Sequence, residues 1–204
     1  MAIKISKKNQ IGVLTINRPG SLNAMNRAVL LEFINELKKL QSENDIRAII
    51  ITGSGEKAFI AGADIKIMEK LDSKSAYDFG LLGQELTNII ENSTKPIIAL
   101  VNGFALGGGC EISLHADHVQ ASAETYIGLV EMGVGVIPGG GGTKEMAKRA
   151  SDSYFLGDIK LPTLKERYLN IGMAKVATSA QEAIELDLLL KNRDQVSIGR
   201  NNLI

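Results

Sequence analysis

Residues 96 to 111 read Pro96-Ile-Ile-Ala-Leu-Val-Asn-Gly-Phe-Ala-Leu-Gly-Gly-Gly-Cys-Glu111. The apolar run Ile97 to Val101 predicts a buried strand, which the Asn102-Gly103 turn ends. Three glycines, Gly107 to Gly109, then lead into a mostly apolar stretch, Cys110 to Ala116, of helical length. Glycines at such a joint leave backbone N–H groups accessible, and the positive end of the helix dipole lies at the same place. The stretch therefore predicts a site that stabilises an oxygen atom becoming negative during a reaction.

Two glutamates stand out because each lies alone in apolar sequence. Glu111 is the only charged residue between Pro96 and Leu114, and it follows Gly108 by three residues, so a helix places both on one side. Glu131 is the only ionisable carboxylate from Tyr126 through Thr143. Apolar surroundings raise the pKa of a carboxylate toward the range that suits proton transfer. Each glutamate could instead pair with a lysine or cap backbone N–H groups, but two beside glycine-rich loops favour catalysis.

The whole chain reads as an alternation of strands and helices, which predicts an α/β fold with parallel strands. Residues 2–7 and 11–17 are predicted to form a hairpin, and Asn26 to cap the helix that follows. Residues 126–142 look too broken by glycine for regular structure, and the chain from residue 191 reads as a polar tail. The other predicted strands are 47–52, 58–60, 97–101 and 118–121, and the other predicted helices are 65–71, 74–92, 110–116, 143–149, 163–174 and 179–187.

Length and composition bound the class of protein. The 204 residues suffice for one large domain with a sizeable core. The formal net charge is zero and the aromatic content is 4%, so neither favours nucleic acid or a membrane surface as partner. Cys110 is the only cysteine, which excludes an intrachain disulfide and indicates a reducing compartment. The first residues lack a signal-peptide core and no apolar run of about 18 residues follows, so we expect a cytoplasmic protein.

The segment Ala61-Gly-Ala-Asp64 has two interpretations. On its residues alone it is a turn, in which Asp64 caps the helix that follows. It becomes part of a site only if the N–H of Ala63 converges with that of Gly108, because an oxyanion hole wants two donors. The residues alone favour the turn.

Other candidate motifs lack a necessary part. Gly53 to Ala58 lacks the third glycine of a dinucleotide fingerprint, and Gly139 to Gly142 lacks the Gly-Lys-Ser/Thr order of a phosphate loop. The four glycines still precede a helix, so their backbone could close over a ligand. His115 and His118 have no Cys or Glu at a convincing spacing, so no metal site is predicted. Cys110 lacks a basic partner for nucleophilic attack, and no Gly-x-Ser-x-Gly elbow of a serine hydrolase is present.

Three segments carry a resemblance to a known family. They are Lys57-Ala-Phe-Ile-Ala-Gly-Ala-Asp-Ile-Lys66, Lys95-Pro-Ile-Ile-Ala-Leu-Val-Asn-Gly-Phe-Ala-Leu-Gly-Gly-Gly-Cys-Glu111 and Gly128-Leu-Val-Glu-Met-Gly-Val-Gly-Val-Ile-Pro-Gly-Gly-Gly-Gly-Thr143. With them the sequence resembles the crotonase superfamily, and more narrowly the enoyl-CoA hydratases, over about residues 3 to 190. Residues 125–149 and 163–190 look most like the hydratase portion of fused 3-hydroxyacyl-CoA dehydrogenase/hydratase proteins.

The resemblance implies a fold and a reaction. A crotonase-like spiral of ββα units would bind an acyl-CoA thioester, and the N–H groups of Ala63 and Gly108 would hold its thioester oxygen. Glu111 and Glu131 match the family's two catalytic glutamates. The implied function is hydration of trans-2-enoyl-CoA to 3-hydroxyacyl-CoA in fatty-acid β-oxidation, with the coenzyme A thioester as substrate and no permanently bound cofactor. The alternatives are an enoyl-CoA isomerase, which needs one proton-shuttling carboxylate, and a non-catalytic acyl-CoA-binding module.

The resemblance also implies how CoA and other subunits are bound. Lys57 and Lys66 fall where the family contacts the CoA portion, and backbone near Ala61 would meet the adenine. Asp64 and Ile65 are counted with these cofactor-binding residues. The family commonly assembles as trimers, or as hexamers made from two trimers. A dehydrogenase partner is a further expectation, for a module that depends on another protein.

The chain departs from the family pattern toward its C-terminal end. The stretch around Phe155 to Asn170 is atypical, and Asp187 stands where glycine is usual. The sequence stops about where the family adds its last helices, so we expect most of the usual C-terminal helical region to be missing. We expect a crotonase-like hydratase domain over residues 1–190 and a polar tail over residues 191–204.

Overall fold

The computed structural model describes residues 1–198. Strands and helices alternate along this range, as the sequence predicts, and none of its helices is both long and apolar enough to cross a membrane. The strands are β1 (Ile3–Lys8), β2 (Ile11–Ile16), β3 (Ala48–Gly53), β4 (Ala58–Ile60), β5 (Ile97–Val101), β6 (Phe104–Leu106), β7 (His118–Ser122), β8 (Tyr126–Gly128) and β9 (Gln195–Ser197). The α-helices are α1 (Arg27–Ser42), α2 (Ile65–Met68), α3 (Ser73–Glu91), α4 (Gly108–His115), α5 (Gly142–Asp152), α6 (Lys160–Gly172) and α7 (Ala180–Glu185).

Six strands form the larger sheet, in the order β1-β2-β3-β5-β7-β9. β1 and β2 are antiparallel, and Asn9 and Gln10 turn the chain between them with φ of 51° and 65°. Two consecutive positive φ angles match the right-handed twist of a tight hairpin, so the predicted hairpin is confirmed. All other neighbours are parallel, so the chain crosses over between them, mostly through helices.

Three short strands, β4, β6 and β8, form a second and wholly parallel sheet. Parallel strands end at the same edge of a sheet, so the segments that follow them come together there. Those segments are residues 61–63, 107–109 and 129–131. The following helix α4 contacts β4 and β6 and carries Glu111 toward the same edge. The smaller sheet therefore gathers the segments that the sequence assigns to the site.

Helix α1 shows how the sequence sets a helix and its buried face. Asn26 precedes it with extended backbone, and the side-chain oxygen of Asn26 accepts the N–H of Val29 at 3.0 Å, as predicted. The apolar positions at helical spacing are all buried, and they are Leu30, Phe33, Ile34, Leu37 and Leu40. Burial of each such side chain contributes about 1.5–3 kcal/mol, so one face of the helix fixes it against the larger sheet and α3.

Residues 126–142 contain more regular structure than the sequence predicts. Tyr126–Gly128 forms β8, and Glu131–Val134 forms a short 3-10 helix. β8 pairs in register with β6, from Phe104–Tyr126 to Leu106–Gly128. A three-residue strand has no periodic pattern of its own, so its partner strand decides its conformation. The expectation of irregular structure throughout this stretch is therefore wrong.

The expected polar tail from residue 191 is also wrong for the part that the structure describes. Gln195–Ser197 forms β9, which pairs parallel with β7 at the edge of the larger sheet. The side chain of Asp194 is buried and accepts the backbone N–H groups of Val119 and Leu190 at 2.9 and 2.7 Å. Residues 191–198 thus belong to the domain, while the remainder of the expected tail, residues 199–204, lies outside the described residues.

Removal of the Asp194 carboxylate tests whether this segment is part of the fold. The Asp194→Ala substitution leaves the buried Val119 N–H without an acceptor, and we expect it to lower the free energy of unfolding by about 1–3 kcal/mol. Urea denaturation measures the loss, and hydrogen exchange at Val119 should become faster. The exposed Asp78→Ala serves as control and should change neither quantity. Equal stability of the two variants would mean that residues 191–198 are not held to the sheet.

Candidate active site

A cavity of about 310 Å³ lies at the C-terminal edge of the smaller sheet. Its opposite wall is formed by α3 and by the loop that precedes α5, and most of its lining side chains are apolar. Six of the residues that the sequence assigns to the site line this one cavity: Ala61, Ala63, Ile65, Gly108, Glu111 and Glu131. The structure therefore brings together residues that lie up to 70 positions apart in the chain (61 to 131).

Two backbone N–H groups in the cavity wall have no acceptor within residues 1–198. Ala63 pairs with Met25 in an isolated parallel bridge. The two hydrogen bonds of this bridge, each 2.8 Å long, run from the Met25 N–H to the Gly62 carbonyl and from the Asp64 N–H to the Met25 carbonyl, so the N–H of Ala63 takes no part in them. Gly108 is the first residue of α4, so its N–H has no partner inside the helix. Both residues line the cavity, which an oxyanion hole made from these two donors would require. This favours the site interpretation of residues 61–64 over the plain turn, since the Asp64 side chain makes no capping bond to α2.

Gly107 shows why the joint before α4 needs glycine. Its backbone has φ of 52° and ψ of −120°, a conformation that side chains disfavour. A Cβ atom at this position would also lie 3.1 Å from Oε1 of Glu131. The glycine therefore admits both the sharp entry into the helix and the approach of the second glutamate.

Glu111 is buried, with 5% of its surface exposed, and is held by the loop before α5. Its Oε1 accepts the N–H groups of Gly140 and Gly142, both at 2.9 Å. Burial raises the pKa of Glu111, and these two hydrogen bonds partly oppose that rise. The run Gly139 to Gly142 therefore closes over a carboxylate of the chain itself. Gly140 has to be a glycine in this arrangement, because a Cβ atom there would lie 2.6 Å from Oε2 of Glu111.

Glu131 lies beside Gly107, in the short 3-10 helix after β8. Burial, together with the nearby charge of Glu111, raises the pKa of Glu131 to about 7. Its Oε2 is buried and has no hydrogen-bond partner within the described residues. At neutral pH this carboxyl is present in both protonation states, so it can give or take a proton. The raised pKa agrees with the sequence interpretation of an isolated acid in apolar surroundings.

The raised pKa of Glu131 predicts a pH-dependent stability. The unfolded chain releases this proton near pH 4.5 and the folded protein near pH 7, so the folded state binds the extra proton in between. Stability therefore falls as the pH rises from 4.5 to 7, by up to about 3 kcal/mol. We expect Glu131→Gln to raise the melting temperature at pH 8 relative to the parent protein, with a smaller difference at pH 5.

A matched control for that measurement is the exposed Glu69→Gln, which removes the same charge from the surface. Thermal melting of the three proteins between pH 5 and pH 8 gives the comparison. If Glu131→Gln and Glu69→Gln change the melting temperature equally at each pH, then Glu131 is not held in a proton-retaining environment.

A polar cluster that the sequence does not predict lies behind Glu111. One side-chain atom each of Glu91, His115 and Glu145 lies within 4.8 Å of the other two. Carboxylate and imidazole groups are common metal ligands. The ammonium of Lys144 lies 2.5 Å from Glu91 and 3.4 Å from Glu145, so a cation of the chain already neutralises these carboxylates. Nδ1 of His115 lies 2.8 Å from the carbonyl oxygen of Glu111, and burial lowers the pKa of this histidine. The cluster joins three elements, so residue spacing could not predict it.

Cys110 does not serve as a nucleophile in this arrangement. The thiol is fully buried beside Glu111, and no side chain of the described residues bonds to it. Burial raises the pKa of Cys110 well above its usual range, so the thiol stays protonated. The sequence interpretation, which found no basic partner for it, agrees with this placement.

The residues expected to bind CoA do not all meet at the cavity. Ala61 and Ile65 line it, whereas Lys57 lies in a separate groove and Lys66 is exposed on α2. Asp64 faces Arg18, with 3.5 Å between its Oδ2 and Nη2 of the arginine. The role of these three side chains toward CoA stays a prediction.

Sequence reasoning missed the contribution of α3 to the site. None of its residues is among the predicted site residues. The buried residues of the helix lie only near its C-terminal end, at Leu86, Thr87 and Ile90. The earlier turns line the cavity together with Leu86 and Thr87, and Gly80 and Gly83 leave room there. The one signal of this contribution in the sequence is Thr87, a polar side chain among the apolar residues of the last turns of the helix.

Comparison with known proteins decides the family. A family model described as enoyl-CoA hydratase/isomerase matches residues 6–154. The chain belongs to this family. The crotonase resemblance of the three motif segments is therefore confirmed, while the closer likeness of the C-terminal half to fused dehydrogenase/hydratase proteins stays a prediction.

Two relatives of this family member carry names that state their reactions. One is a crotonyl-CoA hydratase of Syntrophomonas wolfei, 43% identical over 146 residues that make up 72% of this chain and 56% of the relative. The other is a short-chain-enoyl-CoA hydratase of Clostridium acetobutylicum, 42% identical over 144 residues, or 71% of this chain and 55% of the relative. The matched regions thus span little more than half the length of these relatives.

Solved structures of the family share the fold. The crystal structure of an enoyl-CoA hydratase from Thermoplasma volcanium superposes with a TM-score of 0.83 at 31% identity, over 98% of this chain and 73% of that chain. The enoyl-CoA hydratase from Bacillus anthracis gives a TM-score of 0.82 at 29% identity, over 97% of this chain and 70% of that chain. The predicted crotonase-like α/β fold is confirmed, and more than a quarter of each of those chains lies outside the match.

Proposed function

We propose that the protein is an enoyl-CoA hydratase, which adds water to trans-2-enoyl-CoA and forms 3-hydroxyacyl-CoA in fatty-acid β-oxidation. The observation that carries the proposal is the meeting of a buried and a half-buried glutamate with two unpaired backbone N–H groups in one apolar cavity. The names of the relatives point to the same reaction. An acid pair suits hydration because both a hydroxide and a proton must be delivered to the double bond.

The N–H groups of Ala63 and Gly108 would bind the thioester oxygen. As they draw electrons onto that oxygen, C3 of the enoyl group becomes electrophilic and C2 becomes able to accept a proton. Each such donor typically contributes about 3–4 kcal/mol to the stabilisation of the transition state. Backbone groups perform this step, so the glycine at the start of α4 matters more for its exposed N–H than for any side chain.

The two glutamates would divide the proton transfers. Glu111 orients the water and takes one of its protons, while the resulting hydroxide forms a bond to C3. Glu131, protonated, donates its proton to C2, so that the elements of water are added on one face. The pKa of about 7 keeps part of Glu131 protonated near neutral pH, which fits the donor role. Transfer of the proton on Glu111 back to Glu131 would restore the starting state.

The CoA portion of the substrate would lie along the segment that follows β4. Ala61 and Ile65 line the cavity, and we place Lys57, Asp64 and Lys66 along the route of the nucleotide outside it. The formal net charge of the protein is zero, so it provides no overall attraction for the CoA phosphates. Local lysine ammonium groups would have to bind them. No permanently bound cofactor is needed for this reaction.

The test is hydration of crotonyl-CoA by the purified protein, followed as loss of absorbance of the conjugated enone. Addition in D₂O should place one deuterium on C2, on the same face as the new hydroxyl, which mass spectrometry and NMR of the product would show. Boiled protein is the control for spontaneous hydration. Turnover of 3-enoyl-CoA without hydration would assign the isomerase reaction instead. Heat of binding of a CoA thioester without any turnover would assign a binding module.

The assembly and the compartment belong to the same proposal. We expect a homotrimer or a hexamer, which a mass measurement of the purified protein would detect. A requirement for a dehydrogenase partner would appear as activity that depends on adding such a protein. The proposed compartment is the cytoplasm, where the thiol of Cys110 stays reduced.

A further inference from the structure

The glycine loop, residues 139–142, sets the position of the Glu111 carboxylate. The Oε1 atom of Glu111 accepts the N–H groups of Gly140 and Gly142 at 2.9 Å, and both bonds are buried. No other hydrogen bond to this carboxylate comes from the described residues. A carboxylate held only by peptide groups follows those peptides, so the loop has to be held in turn.

The loop has no side chains of its own, and two side chains of α3 anchor it. Oγ1 of Thr87 donates to the carbonyl oxygen of Gly140 at 2.6 Å, and Nε2 of Gln84 donates to that of Gly139 at 2.9 Å. These carbonyls belong to the two peptides that flank the Cα of Gly140, so rotation about that Cα is restrained on both sides. Thr87 is buried and Gln84 is exposed, and a hydrogen bond away from water is the stronger anchor.

The Thr87 hydroxyl has one proton and three carbonyl oxygens within reach. Those of Gly83 and Gln84, in the preceding turn of α3, lie at 3.3 and 3.2 Å. The oxygen of Gly140 lies at 2.6 Å, so the proton belongs to the bond that leaves the helix. A threonine hydroxyl on a helix usually bonds back to its own helix, so this bond is a specific link between α3 and the loop.

We propose that Thr87 is a positioning residue for Glu111. It acts through the peptide that joins Gly140 to Gly141, which lies between the two peptides that donate to the carboxylate. The inference rests on the proposed function, because it concerns the carboxylate that would handle the water. Loss of the hydroxyl would let the loop shift and the Glu111 carboxylate move with it. Small displacements of a reacting group reduce kcat strongly, whereas the two unpaired N–H groups, on the opposite wall of the cavity, stay in place.

Thr87→Val tests the proposal because it removes the hydroxyl and keeps the shape of the side chain. We expect kcat for crotonyl-CoA to fall by about 10-fold or more, with KM changed less than about 2-fold. Thr87→Ser keeps the hydroxyl and should restore kcat to near the parent value. The exposed Thr143→Val, next to the loop, is the matched control and should leave kcat unchanged. If Thr87→Val does not fold, Thr87→Ala takes its place with the same expectation.

A second readout does not depend on turnover. Titration of ¹³C-labelled glutamate carboxyls by NMR should show a higher pKa of Glu111 in Thr87→Val than in the parent, because weaker N–H bonds no longer oppose the effect of burial. Glu131 is the neighbouring group that titrates, and it is unchanged in both proteins. Parent-like kcat and pKa in a folded Thr87→Val would overturn the proposal, as would a loss of kcat that Thr87→Ser does not reverse. An inactive parent protein would contradict the proposed function, while this titration would still decide the role of Thr87.

Discussion

The Glu111→Gln substitution is expected to lower kcat for crotonyl-CoA hydration by about 10²–10⁴-fold, the usual contribution of a positioned acid or base. Glutamine keeps the size of the side chain and an oxygen that can accept from Gly140 and Gly142, so the fold of the loop should persist. It cannot take a proton from water. Glu131→Gln should lose a comparable factor, because the amide has no acidic proton to deliver to C2.

The pH dependence separates the two glutamates. Hydration as proposed needs Glu111 ionised and Glu131 protonated, so kcat should decline as the pH rises above the Glu131 pKa of about 7. That decline should vanish from the residual activity of Glu131→Gln. It should remain in that of Glu111→Gln but begin at a lower pH, because the charge of Glu111 that helps to raise the Glu131 pKa is gone. Calorimetry with a CoA thioester should show that both variants still bind, since the N–H groups of Ala63 and Gly108 are untouched.

Exposed Glu69→Gln again serves as the control, with parent-like kcat at every pH. Full activity in either active-site variant would refute the assignment of that glutamate. If only Glu131→Gln were inactive, one carboxylate would suffice, and the isomerase reaction would become the better description of the protein.

The two glutamates could be predicted from the sequence because their isolation in apolar runs is a local property. The convergence of Ala63 with Gly108 could not, since it depends on β4 and β6 ending side by side. Only the family resemblance suggested it. The bonds from the glycine loop to Glu111 and from Thr87 to the loop join segments 29 and 53 residues apart, and no spacing rule describes them.

The fold was predictable wherever an element carries its own pattern. The long amphipathic helices and β5 are of this kind, whereas β8 and β9 have three residues each and exist because a neighbouring strand pairs with them. Asp187 is an intermediate case. It stands where the family usually has glycine, and its backbone has φ of 53°, which explains the usual residue. Aspartate tolerates this conformation, and its carboxylate also pairs with Arg167.

Gly140→Ala is expected to lower kcat by about 10²-fold and the free energy of unfolding by about 1–3 kcal/mol. A Cβ atom at this position would lie 2.6 Å from Oε2 and 3.1 Å from Cδ of Glu111, so one of the two side chains must move. The backbone of Gly140 does not have a positive φ, so alanine brings no strain of its own. Rotation of the Glu111 side chain breaks its buried hydrogen bonds to Gly140 and Gly142, which lowers the free energy of unfolding. The same rotation removes the carboxylate from the position that the water requires.

Gly139→Ala is the matched control, because its added Cβ would meet only the carbonyl oxygen of Ile137, at 3.8 Å, an ordinary contact. We expect its kcat to stay within about 10-fold of the parent value, since no reacting group is displaced. Steady-state kinetics and urea denaturation of both variants measure the loss of activity and the loss of stability. Parent-like kcat in Gly140→Ala would show that Glu111 works from a displaced position. The contact between the glycine loop and this carboxylate would then serve folding and not the reaction.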